Sequence, residues 1–202
     1  MKQIDSYITE KLRINRDTSI QRYHPKDKAE LMRLIGHLLR QGGGNADLNC
    51  IDVSEITDMS YLFLRQDPYK IDISSWDTSN VTNMARMFSD CLHLECDLSN
   101  LNTSNVVDMS NMFVNCESFT GDLSGWDVSK VRSMFCMFAG CKNFNSDLSK
   151  WNPAKAIDME KMFYGCRKLT TDLSGWNIKS MVEMEDMFTG CKKIKIPAWY
   201  DK

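Results

Sequence analysis

The chain repeats itself every 25 residues. The stretch Asp97-Leu98-Ser99-Asn100-Leu101-Asn102 returns as Asp122-Leu123-Ser124-Gly125-Trp126-Asp127, as Asp147-Leu148-Ser149-Lys150-Trp151-Asn152 and as Asp172-Leu173-Ser174-Gly175-Trp176-Asn177. Cysteine recurs at 91, 116, 141, 166 and 191, phenylalanine at 63, 88, 113, 138, 163 and 188, and methionine at 59, 84, 109, 134, 159 and 184. A fixed period of this length is the signature of a stacked array, in which each unit buries its apolar face only against its neighbours. Such a chain cannot fold around one central core.

Six units fit the period: 47–71, 72–96, 97–121, 122–146, 147–171 and 172–196. The first is degenerate, with Ile51 at the tryptophan position and Gln66 at the cysteine position. Terminal units of an array face something other than another unit and so depart from the pattern. Residues 1–46 fall outside the repeat and are expected to form an N-terminal helical cap. Within it, Pro25 followed by Lys26 to Gln41 predicts a helix with Leu31, Leu34, Ile35, Leu38 and Leu39 on one face. Gly42-Gly43-Gly44 is its stop. A shorter helix is expected from Ile4 to Leu12. Residues 197–202 are expected to form a C-terminal tail or cap, with Pro197 blocking further strand pairing.

Two spacings occur inside a unit. Met109, Met112, Phe113 and Cys116 stand at i, i+3, i+4 and i+7, which predicts one face of a short helix. Thr103 or Ser104 is its expected N-cap. After the cysteine, Phe119, Gly121 and Leu123 alternate with Thr120, Asp122 and Ser124, which predicts a strand with one buried face. The fold class expected is therefore α/β: a right-handed, leucine-rich-repeat-like solenoid of six 25-residue strand–helix units, capped by the N-terminal helices.

The motif Asp-Leu-Ser-x-Trp-Asp/Asn-x-Ser-x-Val-x-x-Met-x-x-Met-Phe-x-x-Cys, seen in 122–141 and, with Leu101 in place of the tryptophan, in 97–116, resembles the BspA-like class of leucine-rich repeats. The resemblance runs from Asp47 to Ile196. It implies a leucine-rich-repeat-like solenoid and, by family association, a bacterial surface protein that takes part in adhesion. It carries no shared catalytic residues.

Composition narrows the function classes. The chain has 202 residues, 43% apolar and 26% charged, with a net charge of −2. Nine Lys/Arg against five Asp/Glu in residues 1–46 leave the repeats acidic. No clustered basic face appears, so nucleic acid is not expected as a partner. No apolar stretch has the length of a membrane span, and Met1 to Tyr7 hold no signal-peptide core. A soluble, cytoplasmic protein without membrane insertion is expected, or a cell-surface one if the role implied by the resemblance holds. In the cytosol the eight cysteines are expected to be free thiols, those on the repeat buried.

No catalytic site is visible. His24, His37 and His93 share no motif, and Gly42-Gly43-Gly44 reads as a helix stop rather than a phosphate cradle. No enzymatic activity, cofactor or metal site is expected. The candidate binding residues lie on the outward face of the predicted strands: Glu95, Asp97 and Ser99; Thr120, Asp122 and Ser124; Asn145, Asp147 and Ser149; Thr170, Asp172 and Ser174. Glu95, Thr120, Asn145 and Thr170 vary between invariant neighbours, as a recognition surface would. The Asp column either orders turns by accepting backbone hydrogen bonds or offsets its own repulsion with a cation or basic partner. The tryptophan column reads as core rather than as a stacking platform. The leading expectation is a non-enzymatic module that binds a protein partner. A cytoplasmic scaffold, or carbohydrate or cation binding through the Asp and Trp columns, are the alternatives.

Overall fold

The structure, a computed structural model, describes residues 23–68, 70–179 and 181–200. These residues include one α-helix, α1 (Lys28–Gln41), and two strands, β1 (Asn45–Asp47) and β2 (Lys70–Asp72). β1 and β2 pair in parallel with Ala46 opposite Ile71. The expected solenoid of six strand–helix units does not form. The 25-residue units are successions of tight turns, and both expected elements fail for identifiable reasons. The short helix expected at Ile4–Leu12 lies outside the described residues.

The Met-Phe segment is not helical because every second amide is committed to the next unit. The amides of Met109, Asn111, Phe113 and Asn115 donate to the carbonyls of Ser133, Phe135, Met137 and Ala139 at 2.7–3.0 Å. Between them, the amides of Met112, Val114 and Cys116 close turns on Met109, Asn111 and Phe113, three residues back. An α-helix needs each amide to bond four residues back. The left-handed backbone of Asn111 (φ 55) and Asn115 (φ 59) is also incompatible with one. The same conformation recurs down the array at Tyr61, Arg86, Cys136, Lys161 and Asp186. The i, i+3, i+4, i+7 burial is real nonetheless: Met109, Met112, Phe113 and Cys116 are all fully buried. Consecutive three-residue turns reproduce the inward spacing of a helix without its hydrogen bonds. Nor does Thr103 or Ser104 cap a helix. The Thr103 hydroxyl donates to the carbonyl of Asp127 at 3.0 Å, and Ser104 donates to the side chain of Asn102.

Among the described residues, the segment after the cysteine position is a strand only at β2, which follows Gln66, pairs with β1 and is extended by a bridge from Lys70 to Glu95. There the Leu48 amide donates to the Asp72 carbonyl at 2.8 Å. Three units later the acceptor is a side chain. The Leu123 amide donates to Ser146 Oγ at 2.8 Å, and Leu148 to Thr171 Oγ1 at 2.9 Å. A hydroxyl from the next unit replaces the ladder carbonyl, and the parallel ladder ends. Parallel pairing shifts instead to isolated bridges joining Asp58, Asn83, Asp108, Ser133, Asp158 and Glu183 in succession.

The core is a set of columns running along the stack. The rings of Phe63, Phe88, Phe113, Phe138, Phe163 and Phe188 lie nearly parallel, with successive centroids 5.1–5.8 Å apart. Phe119 and Phe144 stack against Phe113 and Phe138 at 4.6 and 4.2 Å. Burying each such ring contributes about 1.5–3 kcal/mol in transfer terms. The repeat thiols of Cys91, Cys116, Cys141, Cys166 and Cys191 donate to the carbonyls of Phe63, Phe88, Phe113, Phe138 and Phe163 at 2.9–3.1 Å. All eight cysteines are free.

Both ends of the stack are covered. α1 starts at Asp27, whose carboxylate accepts the Glu30 amide at 2.8 Å, while the Glu30 carboxylate reaches back to the Lys26 amide. Its face of Leu31, Leu34, Ile35 and Leu39 joins the core continuously with Leu48 and Ile51. At the other end the Trp199 indole stacks on Trp176 at 6.0 Å, and the Tyr200 ring meets Phe188 edge-on at 5.0 Å. None of the described helices is long and apolar enough to cross a membrane.

Candidate binding face

Each repeat unit turns on short carboxylate and amide side chains. Asp72, Asp97, Asp122, Asp147 and Asp172 each accept the amide of the serine two residues on, at 2.9–3.0 Å. Asp47 does the same for Asn49. A second column five residues later repeats the arrangement: Asp52, Asp77, Asn102 and Asp127 accept from Ser54, Ser79, Ser104 and Ser129. A third column, at Asp58, Asn83, Asp108 and Asp158, accepts from Ser60, Ala85, Ser110 and Glu160. These are Asx turns, in which the side chain mimics a turn of backbone.

The turns account for the charge of the Asp column. The amide and then the hydroxyl of Ser124 hold the Asp122 carboxyl below its ordinary value, and Ser149 and Ser174 act alike on Asp147 and Asp172. At Asp97 the Ser99 hydroxyl leads and its amide follows, while the neighbouring Asp122 and Asp72 charges push the other way. Like-charge repulsion along the column is therefore present, and it is opposed by fixed donors within each unit. Among the described residues, no group of three or more His, Cys, Asp or Glu side chains is placed to hold a metal ion.

The structure brings the twelve candidate residues together, though not as the outward side of a sheet. Glu95, Thr120, Asn145 and Thr170 are exposed and lie in register at successive units. Asp97, Asp122, Asp147 and Asp172 form an exposed row beside them. Ser99, Ser149 and Ser174 are exposed, and Ser124 is half-buried. Two members of the first row touch: the Thr170 amide and hydroxyl donate to Asn145 Oδ1 at 2.8 and 3.0 Å. The second row is linked by hydroxyls, Ser146 Oγ lying 3.3 Å from Asp122 and Thr171 Oγ1 3.4 Å from Asp147. The indole nitrogens of Trp76, Trp126, Trp151 and Trp176 donate to the carbonyls of Leu48, Leu98, Leu123 and Leu148, and their rings are buried. That column faces the core.

Sequence reasoning missed the flank of this face. The first two positions after each cysteine carry His93, Glu117, Lys142, Arg167 with Lys168, and Lys192 with Lys193. Cross-unit contacts tie this corner together. His93 Nδ1 meets Asp67 at 2.8 Å, Lys142 meets Glu117 at 2.6 Å, and the Asn143 side chain donates to the Glu117 carbonyl. Its signal was available as charge at a fixed repeat position.

A family model described as "Mycoplasma protein of unknown function, DUF285" matches residues 40–134 and 96–199. No curated protein and no solved structure matches the chain.

Proposed function

The chain belongs to the DUF285 family, and we propose that it is a non-enzymatic module that binds a protein partner through the face formed by the Asp row and the row Glu95, Thr120, Asn145 and Thr170. The observation that carries the reading is the contrast between these two exposed rows. The Asp row is held invariant by the turns it makes, whereas the row beside it changes residue from unit to unit while keeping the same position. A scaffold of fixed spacing with side chains free to differ is suited to recognising an extended surface. The BspA-like resemblance of the repeats supports the same reading and suggests a partner met at a cell surface.

The test is affinity capture with immobilised protein, comparing the unaltered chain with Thr120→Arg and with Asp122→Asn/Asp147→Asn. The asparagines keep the Oδ1 acceptor of each Asx turn and remove only charge. The reading expects a captured protein to be lost from both variants while their melting temperatures stay close to that of the parent. Equal capture by all three proteins would refute it.

A further inference from the structure

The segments that run from each repeat cysteine position to the seventh residue beyond it stack side by side and pass from acidic at one end of the array to basic at the other. The first two are acidic: Asp67, Lys70 and Asp72 give −1, then Glu95 and Asp97 give −2, with His93 counted as neutral. Glu117 and Asp122 give −2, and Lys142 with Asp147 gives 0. The last two are basic: Arg167, Lys168 and Asp172 give +1, then Lys192, Lys193 and Lys195 give +3. All these side chains are exposed except Asp67, Glu117 and Lys142, which are half-buried. The stacking of the segments is set by the Lys70–Glu95 bridge, the Ser118 amide on the Leu92 carbonyl, the Lys142–Glu117 pair and the Thr170–Asn145 bonds. At the basic end the Lys195 charge holds the Asp172 carboxyl down, after the Ser174 amide and hydroxyl.

We infer that this face pairs with the same face of a second copy of the chain, in antiparallel orientation about a two-fold axis. The inference rests on the binding-face reading above and names the partner. An isologous interface must be self-complementary, and a face that is acidic at one end and basic at the other meets that condition in one orientation only. In antiparallel register the segments of −1, −2 and −2 meet those of +3, +1 and 0. In parallel register every charged segment meets its own sign. Six segments at about 4.8 Å, each at most about 23 Å long if fully extended, present no more than roughly 550 Å² per copy. The resulting total of no more than about 1,100 Å² is at the low end for a specific interface and belongs to a weak association. The central rows of Thr120 and Asn145 supply neutral polar contacts, so the charges set orientation and most of the salt dependence.

The test is sedimentation equilibrium of the full chain at low and high salt. The Debye length falls from about 30 Å at 0.01 M to about 3 Å at 1 M. The inference expects a dimer whose Kd rises by on the order of tenfold or more across that range. A charge-reversed chain sharpens it. Lys192→Glu/Lys193→Glu turns the last segment from +3 to −1, so that the antiparallel register sets −1 against −1 at both ends. Its dimer is expected to be weaker than the parent's at low salt by on the order of tenfold or more. Circular dichroism checks that the variant folds, and Lys192→Gln/Lys193→Gln, which only removes charge, should weaken the dimer less than reversal does. A wild-type monomer at low salt, a dimer indifferent to salt, or a reversed chain that dimerises as tightly as the parent each overturns the inference. If any of these occurs while Thr120→Arg still abolishes partner capture, the pairing fails and the binding-face reading stands. If the dimer forms as expected but Thr120→Arg leaves both dimer and capture intact, both fail, because the face is then not the site of contact.

Discussion

The indole Nε1 of Trp126 donates to the carbonyl of Leu98 at 3.0 Å, across 28 residues of sequence. That carbonyl already accepts the amide of Leu101 in its own turn. The tryptophan therefore fills the remaining lone pair of a buried oxygen and pins one unit to the last. Trp126→Phe keeps an aromatic ring but removes the donor. Since the Leu98 carbonyl keeps the Leu101 amide, the lost bond is expected to destabilise the protein by about 0.5–1.5 kcal/mol, with the packing lost by the smaller ring in addition. Denaturant unfolding checks this; a variant as stable as the parent would show that the bond contributes nothing net.

Gly140 and Gly125 should respond to alanine in opposite ways. Gly140 has φ +78, and a Cβ there would lie 2.6 Å from Asn115 Oδ1, an atom of a side chain already bonded to Asp90. Gly140→Ala is expected to cost about 1–2 kcal/mol from the left-handed backbone alone, with the clash in addition. Around Gly125 a Cβ meets nothing within 4 Å, and the equivalent positions already hold Asn100 and Lys150. Gly125→Ala is expected to be neutral or stabilising by about 0.4–1 kcal/mol. Melting temperatures of the two variants should move in different directions.

How far these features were legible in the sequence depends on what a spacing encodes. Met109, Met112, Phe113 and Cys116 read correctly as an inward set, because burial follows side-chain direction and the period reports direction. They misread as a helix because the partners of the Met109 and Phe113 amides, the carbonyls of Ser133 and Met137, lie 24 residues away. Local spacing carries no information about such a partner. The strand failed for a subtler reason. Ser146 and Thr171 stand at the inward position that Gly121 holds one and two units earlier, but their hydroxyls take the place of a backbone acceptor. The Asx turns, by contrast, were foreseeable from Asp122 and Ser124 alone, since donor and acceptor sit two residues apart. The cap α1 was legible from the leucine spacing and the Gly42 stop, which are local signals, whereas its start is set by the Asp27 cap, two residues beyond Pro25. The candidate residues stand in register on one exposed face, and the charged flank at Arg167 and Lys192 was passed over because the alternation that predicts the strand begins beyond those positions.

Acid should loosen the array. The carboxyls of Asp72, Asp97, Asp122, Asp147 and Asp172 are all held below their ordinary value by serine donors. A group whose folded pKa is depressed stabilises the fold above its unfolded value and loses that contribution as pH falls through the folded value. Stability is thus expected to be level from neutral pH down to about 5 and to decline below about 4. Asp122→Asn/Asp147→Asn removes two of the titrating groups, so its decline should be shallower. Guanidinium unfolding at pH 7, 4 and 3 measures both curves; identical slopes would show that these turns do not contribute to the acid response.

The thiols should divide by depth. Burial pushes the Cys91 thiol up to about 12, and it raises Cys116, Cys141 and Cys166 well above their ordinary value, with nearby carboxylates or thiols adding to the effect. Each also spends its proton on a buried carbonyl of the preceding unit. The thiolate is the reactive form, so these four are protected twice, by access and by protonation. Cys50 and Cys136 are half-exposed, and burial raises them too, from shallower sites. Treated with iodoacetamide at pH 8 in the native state, Cys50 and Cys136 are expected to label first, and the four column thiols only after denaturation. Peptide mapping by mass spectrometry reads the order. Native labelling of Cys116 at the rate of Cys136 would mean that the units separate on the timescale of the reaction, and that the cross-unit bonds hold the stack less firmly than their geometry implies.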